Sequence, residues 1–250
     1  MNNGDSTAIF STEAGFIALN GSVKIQILEL LKNGSKSFDE IVNHTGKAKA
    51  TISVHLKDLR SCSLLEEHVD PDDRRKKIYS LRCQYVACSQ EPGLEHYTDM
   101  LKIISSTDFE RFGSLVCVFH AVQYGFLANG INCDPIMRNI GRDVGKSFAH
   151  SLISTEPDDL FAEMEVFWEK NDIGKFSVLS KDPLKLEVHD FFACKSLPIK
   201  TKVLCTFVKG VFEGVFIDKF AIDCTMENIS VCNNNCEPCI LVMKEFKKLL

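Results

Sequence analysis

Between residues 21 and 65 the apolar positions recur at helical spacing in three short blocks. In GSVKIQILELLKNG, Val23, Ile27, Leu30 and Leu31 share a face, and Gly34 stands where a helix ends. In SFDEIVNHTG, Ser37 is a good N-cap with Glu40 three positions on, and Gly46 follows the last turn. In KAKATISVHLKDLRSCSLL, Ile52, Leu56 and Leu59 fall on one face, with Cys62 next along it. Three short helices joined by tight turns predict a helix-turn-helix unit. After Leu65 the period shortens: EEHV and KKIYSL are β-prone and flank the charged turn DPDDRR, which predicts a hairpin.

The rest of the chain is patterned differently. In GLEHYTDMLKIIS, Leu94, Tyr97, Leu101 and Ile104 share a helical face, which fits either a linker and dimer helix or a helix packed on its own second domain. Residues 109–152 are apolar and punctuated by Gly113, Gly125, Gly130, Gly141 and Gly145, predicting two or three helices with close packing or tight ends at the glycines. Residues 158–171 predict an amphipathic helix with Leu160, Met164 and Phe167 inward and Gly174 beyond its end. KFSVLSKD, LKLEVHDFFAC and KFAIDCTME then read as strands. An apolar helix is inserted among them, with Leu204, Phe207, Val208, Val211, Phe212 and Val215 at helical spacing and Gly210 and Gly214 four apart. SVCNNNCEPCILVMKEF closes the chain with a turn and a last strand or helix. The prediction is an α+β chain: a winged helix-turn-helix domain at 1–88, a helical linker or dimerisation segment at 89–108, and a mixed α/β domain at 109–250.

A chain of 250 residues has room for one large domain or two ordinary ones. It contains no apolar run of membrane-spanning length, and MNNGDSTAIF lacks the basic start and apolar stretch of a signal peptide, so a cytoplasmic location is expected. The net charge of −5 argues against a protein that coats nucleic acid with its whole surface. The charge is unevenly spread: residues 1–85 carry 12 Lys+Arg against 11 Asp+Glu, and residues 86–250 carry 17 against 23. Arg74, Arg75, Lys76 and Lys77 are successive cations at the hairpin tip. A basic hairpin beside a helix rich in small polar residues can grip the DNA backbone while the helix enters the major groove.

The run from Gly21 to Leu81, with ILELL, ATISVHLKDL and LLEEHVDPDDRRKKIYSL in order, resembles the winged helix-turn-helix of ArsR-type regulators over about residues 10–85. The resemblance implies that the helix beginning near Lys47 is the recognition helix, with Lys49, Thr51, Ser53, Val54 and Lys57 toward DNA and His55 packed or capping. It also implies a homodimer on a two-fold operator. The metal-binding cysteine box that some of those regulators carry in this helix is absent, and His55 and Cys62 alone do not replace it.

Eleven cysteines are an odd number, and six of them lie between Cys194 and Cys239. In a reducing compartment such clustering points to metal binding or thiol chemistry rather than a disulfide frame. Cys62, Cys83, Cys88, Cys117 and Cys133 are expected to be core or incidental, and His189 a core or surface residue rather than a ligand. The order Cys205, Gly210, Gly214, Cys232, Cys239 resembles the 4-vinyl reductase domain, a small-molecule or redox sensing module, over roughly residues 110–250. Both resemblances together are those of the MsvR-type redox regulators of methanogenic archaea. They imply zinc ligands at Cys205, Cys232 and Cys239. The fourth is open, because Ile229 stands where zinc-binding members have Glu; Glu227, Cys224 and Cys236 are the substitutes.

Three readings of these cysteines stay open: a redox switch involving Cys205, Cys224, Cys232, Cys236 and Cys239, a structural zinc, or buried inert thiols. The first makes the protein a redox-responsive regulator, with a thiol reductant such as a thioredoxin as an expected partner. The alternative is a ligand-responsive regulator with a structural zinc, in which Phe207, Phe212, Phe216 and Phe220 line a pocket instead of packing a core. No Gly-rich dinucleotide turn and no nucleophile–base spacing is found, so an enzyme is not expected.

Overall fold

The computed structural model describes residues 7–32, 34–71, 73–104, 114–171, 173–191, 203–230 and 238–248; the side chains of residues 100, 103–104, 114–116, 203–205 and 245–248 are not described. The chain divides into two compact units, residues 1–90 and 91–250.

The first unit begins with a hairpin of β1 (Ala8–Thr12) and β2 (Gly15–Leu19). It continues through α1 (Ser22–Leu31), the short β3 (Lys36–Ser37), α2 (Phe38–Thr45) and α3 (Lys49–Ser61). It closes with β4 (Leu65–Val69), β5 (Lys77–Leu81) and β6 (Gln84–Ser89). Strand β1 pairs antiparallel with both β2 and β6, while β5 lies between β3 and β4 in a second sheet. The core is built by Phe10, Ile27, Leu28, Leu31, Ile41, Ile52, Leu56, Leu59, Leu64 and Leu65. On α1 the buried positions are Ile27, Leu28 and Leu31, with Val23 and Leu30 half-buried. Cys62 is exposed, because the helix ends before it. The β1–β2 hairpin is absent from the sequence expectation: of its ten residues only Ala8, Phe10 and Leu19 are buried, too few to show a period of two.

The second unit holds α4 (Leu94–Ile104), α5 (Ser114–Ala128), β7 (Ile131–Asn132), α6 (Asp134–Ala149) and α7 (Pro157–Lys170). They are followed by β8 (Lys175–Lys181), β9 (Leu184–His189), α8 (Val203–Phe220), β10 (Ile222–Ser230) and β11 (Cys239–Lys248). The strands form an antiparallel sheet in the order β10-β11-β9-β8. Helix α8 runs through Phe220 and breaks at Ala221 (φ 51°), so Lys219 and Phe220 belong to the helix and the strand begins at Ile222. The last segment resolves to a strand. Trp168, from α7, packs within 5.4 Å of the rings of Phe176, Phe191 and Phe212 at the centre of the core.

Helices α6 and α8 touch backbone to backbone. A Cβ on Gly141 would lie 2.3 Å from the Phe207 carbonyl oxygen, and one on Gly145 would lie 2.1 Å from that of Val211. Gly210 and Gly214 meet Arg138 and Arg142 in the same way, at 2.2 and 2.1 Å. Neither helix can relieve such a clash by rotating a side chain. Gly145→Ala is therefore expected to lower unfolding free energy by about 3 kcal/mol, at the upper end of overpacking costs. Urea titration of the full chain measures this, and a loss under about 1 kcal/mol would show that the helices part easily.

Candidate nucleic-acid interface and thiol region

Helix α2 starts on a complete capping box. The Ser37 side chain accepts from the Glu40 N–H, and the Glu40 carboxylate accepts from the Ser37 N–H at 2.7 Å. These bonds hold the Glu40 carboxyl below the usual carboxylate range. Gly46, left-handed at φ 63°, ends α2 and lets the chain turn into α3. Ile52, Leu56 and Leu59 fix α3 in the core. Spacing then forces Lys49, Thr51, Ser53, Val54 and Lys57 outward, and all five are exposed; Val54, apolar, is 58% exposed. Lys49 pairs with Asp39 at 2.9 Å, but both side chains are about 70% exposed, so the pair is weak. Lys57 has no acidic partner among the described residues. His55 is half-buried with its Nδ1 in no hydrogen bond, consistent with packing within the fold.

The β4–β5 hairpin forms the wing. Val69 pairs with Lys77, and the Asp70 N–H donates to the Lys76 carbonyl at 3.0 Å to close the tip. The Asp73 carboxylate accepts from the Arg75 side chain and N–H, each at 3.1 Å, and these bonds hold its pKa below the ordinary carboxylate value. Lys77 pairs with Glu67 at 2.9 Å. Arg74, Arg75, Lys76 and Lys77 are all exposed, and Arg74 has no acidic partner among the described residues. Local acids thus order the tip without covering its cations.

The cysteine region is less concentrated than its sequence spacing. Cys224 faces the core from β10 opposite Phe246 of β11, while Cys239 opens β11 opposite Val188 of β9. At about 3.3 Å per residue the two lie roughly 20 Å apart, beyond the Cα spacing of about 7 Å that a disulfide allows. Glu227 is exposed opposite Val242, whereas Cys239 joins the core cluster with Leu241, so their side chains leave opposite faces of the sheet. The structure therefore places neither Cys224 nor Glu227 beside Cys239. Cys232, Cys236 and Cys194 lie outside the described residues, and Cys205 is placed in α8 by its backbone alone. Among the described residues no three His, Cys, Asp or Glu side chains could hold a metal ion, so the described residues do not supply a zinc site.

Burial pushes the Cys224 thiol up to about 12; Glu213 adds to the shift and Arg142 opposes it. Its thiolate fraction is therefore negligible near neutral pH. In reduced folded protein at about pH 8, Cys224 should alkylate far more slowly than exposed Cys62. Mass spectrometry of iodoacetamide-treated protein reads this, and equal rates would contradict the buried assignment. His189 bonds Glu187 at 2.9 Å. Phe207, Phe212 and Phe216 are core residues, with Phe216 also packed on Phe161.

One cluster has no counterpart in the expectations. Glu213, fully buried on α8, accepts from the Arg138 Nε at 3.0 Å and from its Nη2, from the Arg142 Nε at 2.7 Å, and from the Met226 N–H at 2.8 Å. Arg138 and Arg142 in turn donate to the carbonyls of Met226 (3.0 Å) and Cys224 (3.2 Å). The cluster ties α6, α8 and β10 together.

Residues 21–67 match the profile of the bacterial regulatory proteins of the arsR family. That segment runs from α1 through the start of β4 and has the order of a helix-turn-helix. Over 156 residues the chain is 26% identical to uncharacterized protein MJ0150 of Methanocaldococcus jannaschii, covering 60% of this chain and 89% of that one. Over 111 residues it is 25% identical to uncharacterized protein MJ1642 of the same organism, covering 44% and 64%. A structure of Bordetella bronchiseptica BpsR, described as regulated in DNA binding by 6-hydroxynicotinic acid, aligns with 25% of this chain and 48% of its own at 30% identity (TM-score 0.23). A vinyl-4-reductase family protein from Methanocaldococcus jannaschii aligns with 61% of this chain and 91% of its own at 15% identity (TM-score 0.37). Among the described residues no helix is long and apolar enough to cross a membrane.

Proposed function

We propose that this protein is a transcription regulator that binds operator DNA as a homodimer, with thiols of the second unit controlling binding. The observation that carries the DNA reading is the exposed face of α3. Lys49, Thr51, Ser53, Val54 and Lys57 offer hydroxyls, a methyl-bearing apolar group and two cations on a helix whose other side is locked in the core. These are groups suited to base edges and phosphates. The wing cations Arg74, Arg75, Lys76 and Lys77 lie on the same unit and suit backbone contact.

The thiol reading is supported by the six cysteines between Cys194 and Cys239 and by the Cys236-Glu-Pro-Cys239 pair, whose spacing suits a reversible disulfide. Cys205, Cys232, Cys236 and Cys239 are its candidates; Cys224, buried and protonated, is the least suited. Oxidation there would alter packing of the second unit and with it the half-site register of the two recognition helices.

The test is selection of binding sites from randomised duplex DNA by reduced protein. Binding to the selected site is then compared before and after a disulfide oxidant, with Cys232→Ala and Cys239→Ala alongside. Loss or gain of binding on oxidation in the wild type, absent in either variant, is the expected result. Selection of no sequence would remove the regulator reading. Redox-insensitive binding would remove only the thiol control and favour a ligand-responsive regulator.

A further inference from the structure

The outward side of α3 has a crest whose position follows from the core. Ile52, Leu56 and Leu59 point inward and define one pole of the helix. At about 100° per residue, Val54 lies within about 15° of the opposite pole, Ala50 within about 30° and Lys57 within about 50°. Thr51 and Ser53 stand on the two flanks, about 75° and 85° from that pole. Lys49 is turned further back, toward Asp39, with which it pairs at 2.9 Å. The crest of the first half of α3 is therefore Ala50 and Val54, one turn apart and both exposed.

The fold supplies no reason for a valine there. A β-branched residue is a poorer helix former than alanine, and a side chain left open to water contributes little through burial. Every other exposed residue of α3 is Lys, Arg, Ser, Thr or Ala.

What such a crest can read follows from its chemistry. In the major groove guanine offers two acceptors, adenine an acceptor and a donor, cytosine a donor, and thymine an acceptor beside a C5-methyl group. An alkyl side chain neither donates nor accepts, so only the methyl group is complementary to it. A G·C pair facing Val54 would give up water from its polar edge and gain no bond in return. Ala50, one turn earlier, is too short to hold the helix off the groove floor, and the flanking hydroxyls of Thr51 and Ser53 can donate to or accept from the neighbouring base edges. We propose that Val54 is a specificity-determining residue that selects thymine, by contact with its C5-methyl group, at one position of each operator half-site. This assignment rests on the reading of α3 as the helix that meets DNA.

The experiment starts from the site that reduced full-length protein selects from randomised duplex DNA. Each thymine is replaced in turn by deoxyuridine, which removes the C5-methyl and keeps every hydrogen-bonding group, and binding is read by fluorescence anisotropy. At one thymine of each half-site the swap should weaken wild-type binding about 4-fold, the worth of one buried methyl group, and roughly 15-fold when both half-sites are changed. Val54→Ala should bind the thymine site more weakly than wild type, and the same swap should then cost it less than about 2-fold, because the two changes remove one contact. Cytosine at that position should weaken wild-type binding, and 5-methylcytosine should recover about 4-fold of the loss. An alkyl contact touches no phosphate, so the slope of log affinity against log salt should be the same for Val54→Ala and wild type. Alanine is favourable at an exposed helical position, and unaltered circular dichroism shows that the variant folds. A selected site in which no deoxyuridine swap weakens wild type, or a swap that costs Val54→Ala as much as wild type, overturns the proposal and leaves the regulator reading standing. Selection of no sequence removes the regulator reading and the thymine assignment with it.

Discussion

Glu213→Ala is expected to destabilise the second unit by about 3–5 kcal/mol, the cost of breaking a buried ion pair from one side. The carboxylate is fully buried and serves Arg138, Arg142 and the Met226 N–H together. Removing it leaves two guanidinium groups, each about 30% exposed, facing one another with their charge uncompensated. Asp223, 3.6 Å from Arg142 and half-exposed, is the carboxylate that remains paired with that arginine among the described residues. The Met226 N–H also loses its acceptor inside the core, which alone costs about 1–3 kcal/mol. For a unit of this size the melting temperature should fall by roughly 10 °C. Glu213→Gln keeps shape and one acceptor but not the charge, and should fall between wild type and Glu213→Ala. A decrease of less than about 3 °C for Glu213→Ala, by calorimetry at neutral pH, would show that water reaches the arginines and that the cluster is not a structural tie.

Much of the first unit was legible because local signals and tertiary packing agree there. Ser37 and Glu40 cap the helix they were expected to cap, Gly46 takes the left-handed turn, and Ile52, Leu56 and Leu59 are buried as their spacing implied. The first hairpin was not legible, since Phe16 is 75% exposed and apolarity there does not report a buried side. In the second unit Gly141 and Gly145 of α6 were legible as close packing or tight ends and prove to be close-packed, whereas Gly210 and Gly214 of α8 showed only their spacing of four. Glu213 did not stand out. It is a lone acid in an apolar helix, and only Arg138 and Arg142, four apart on a different helix, give it meaning. That pairing spans more than seventy positions, beyond any local period. The cysteines misled in a different way. Sequence nearness suggested that Cys224 and Cys239 share a site, but a long hairpin carries them to opposite ends of β10 and β11.

For DNA binding, substitutions in α3 and in the wing should fail in different ways. Ser53 is exposed on the outward face of α3, so Ser53→Glu should fold normally and place a carboxylate where the helix meets the groove. Affinity for the selected site should fall by at least about 100-fold, since a lost base contact and a repelled phosphate backbone act together. The double change Arg74→Ala with Arg75→Ala should act through phosphates instead. Binding should weaken to specific and unrelated sequences alike, and the slope of log affinity against log salt should become shallower by roughly 0.9 for each phosphate contact removed. Arg75 is already held by Asp73 at 3.1 Å, so part of its charge is spent within the wing, and Arg74, with no acidic partner among the described residues, should carry more of the effect when each is changed alone. Fluorescence anisotropy at several salt concentrations gives both quantities. Were Ser53→Glu to bind as wild type while the wing variant lost sequence preference, α3 would not be the reading element, and the hairpin would have to be placed in the groove in its stead.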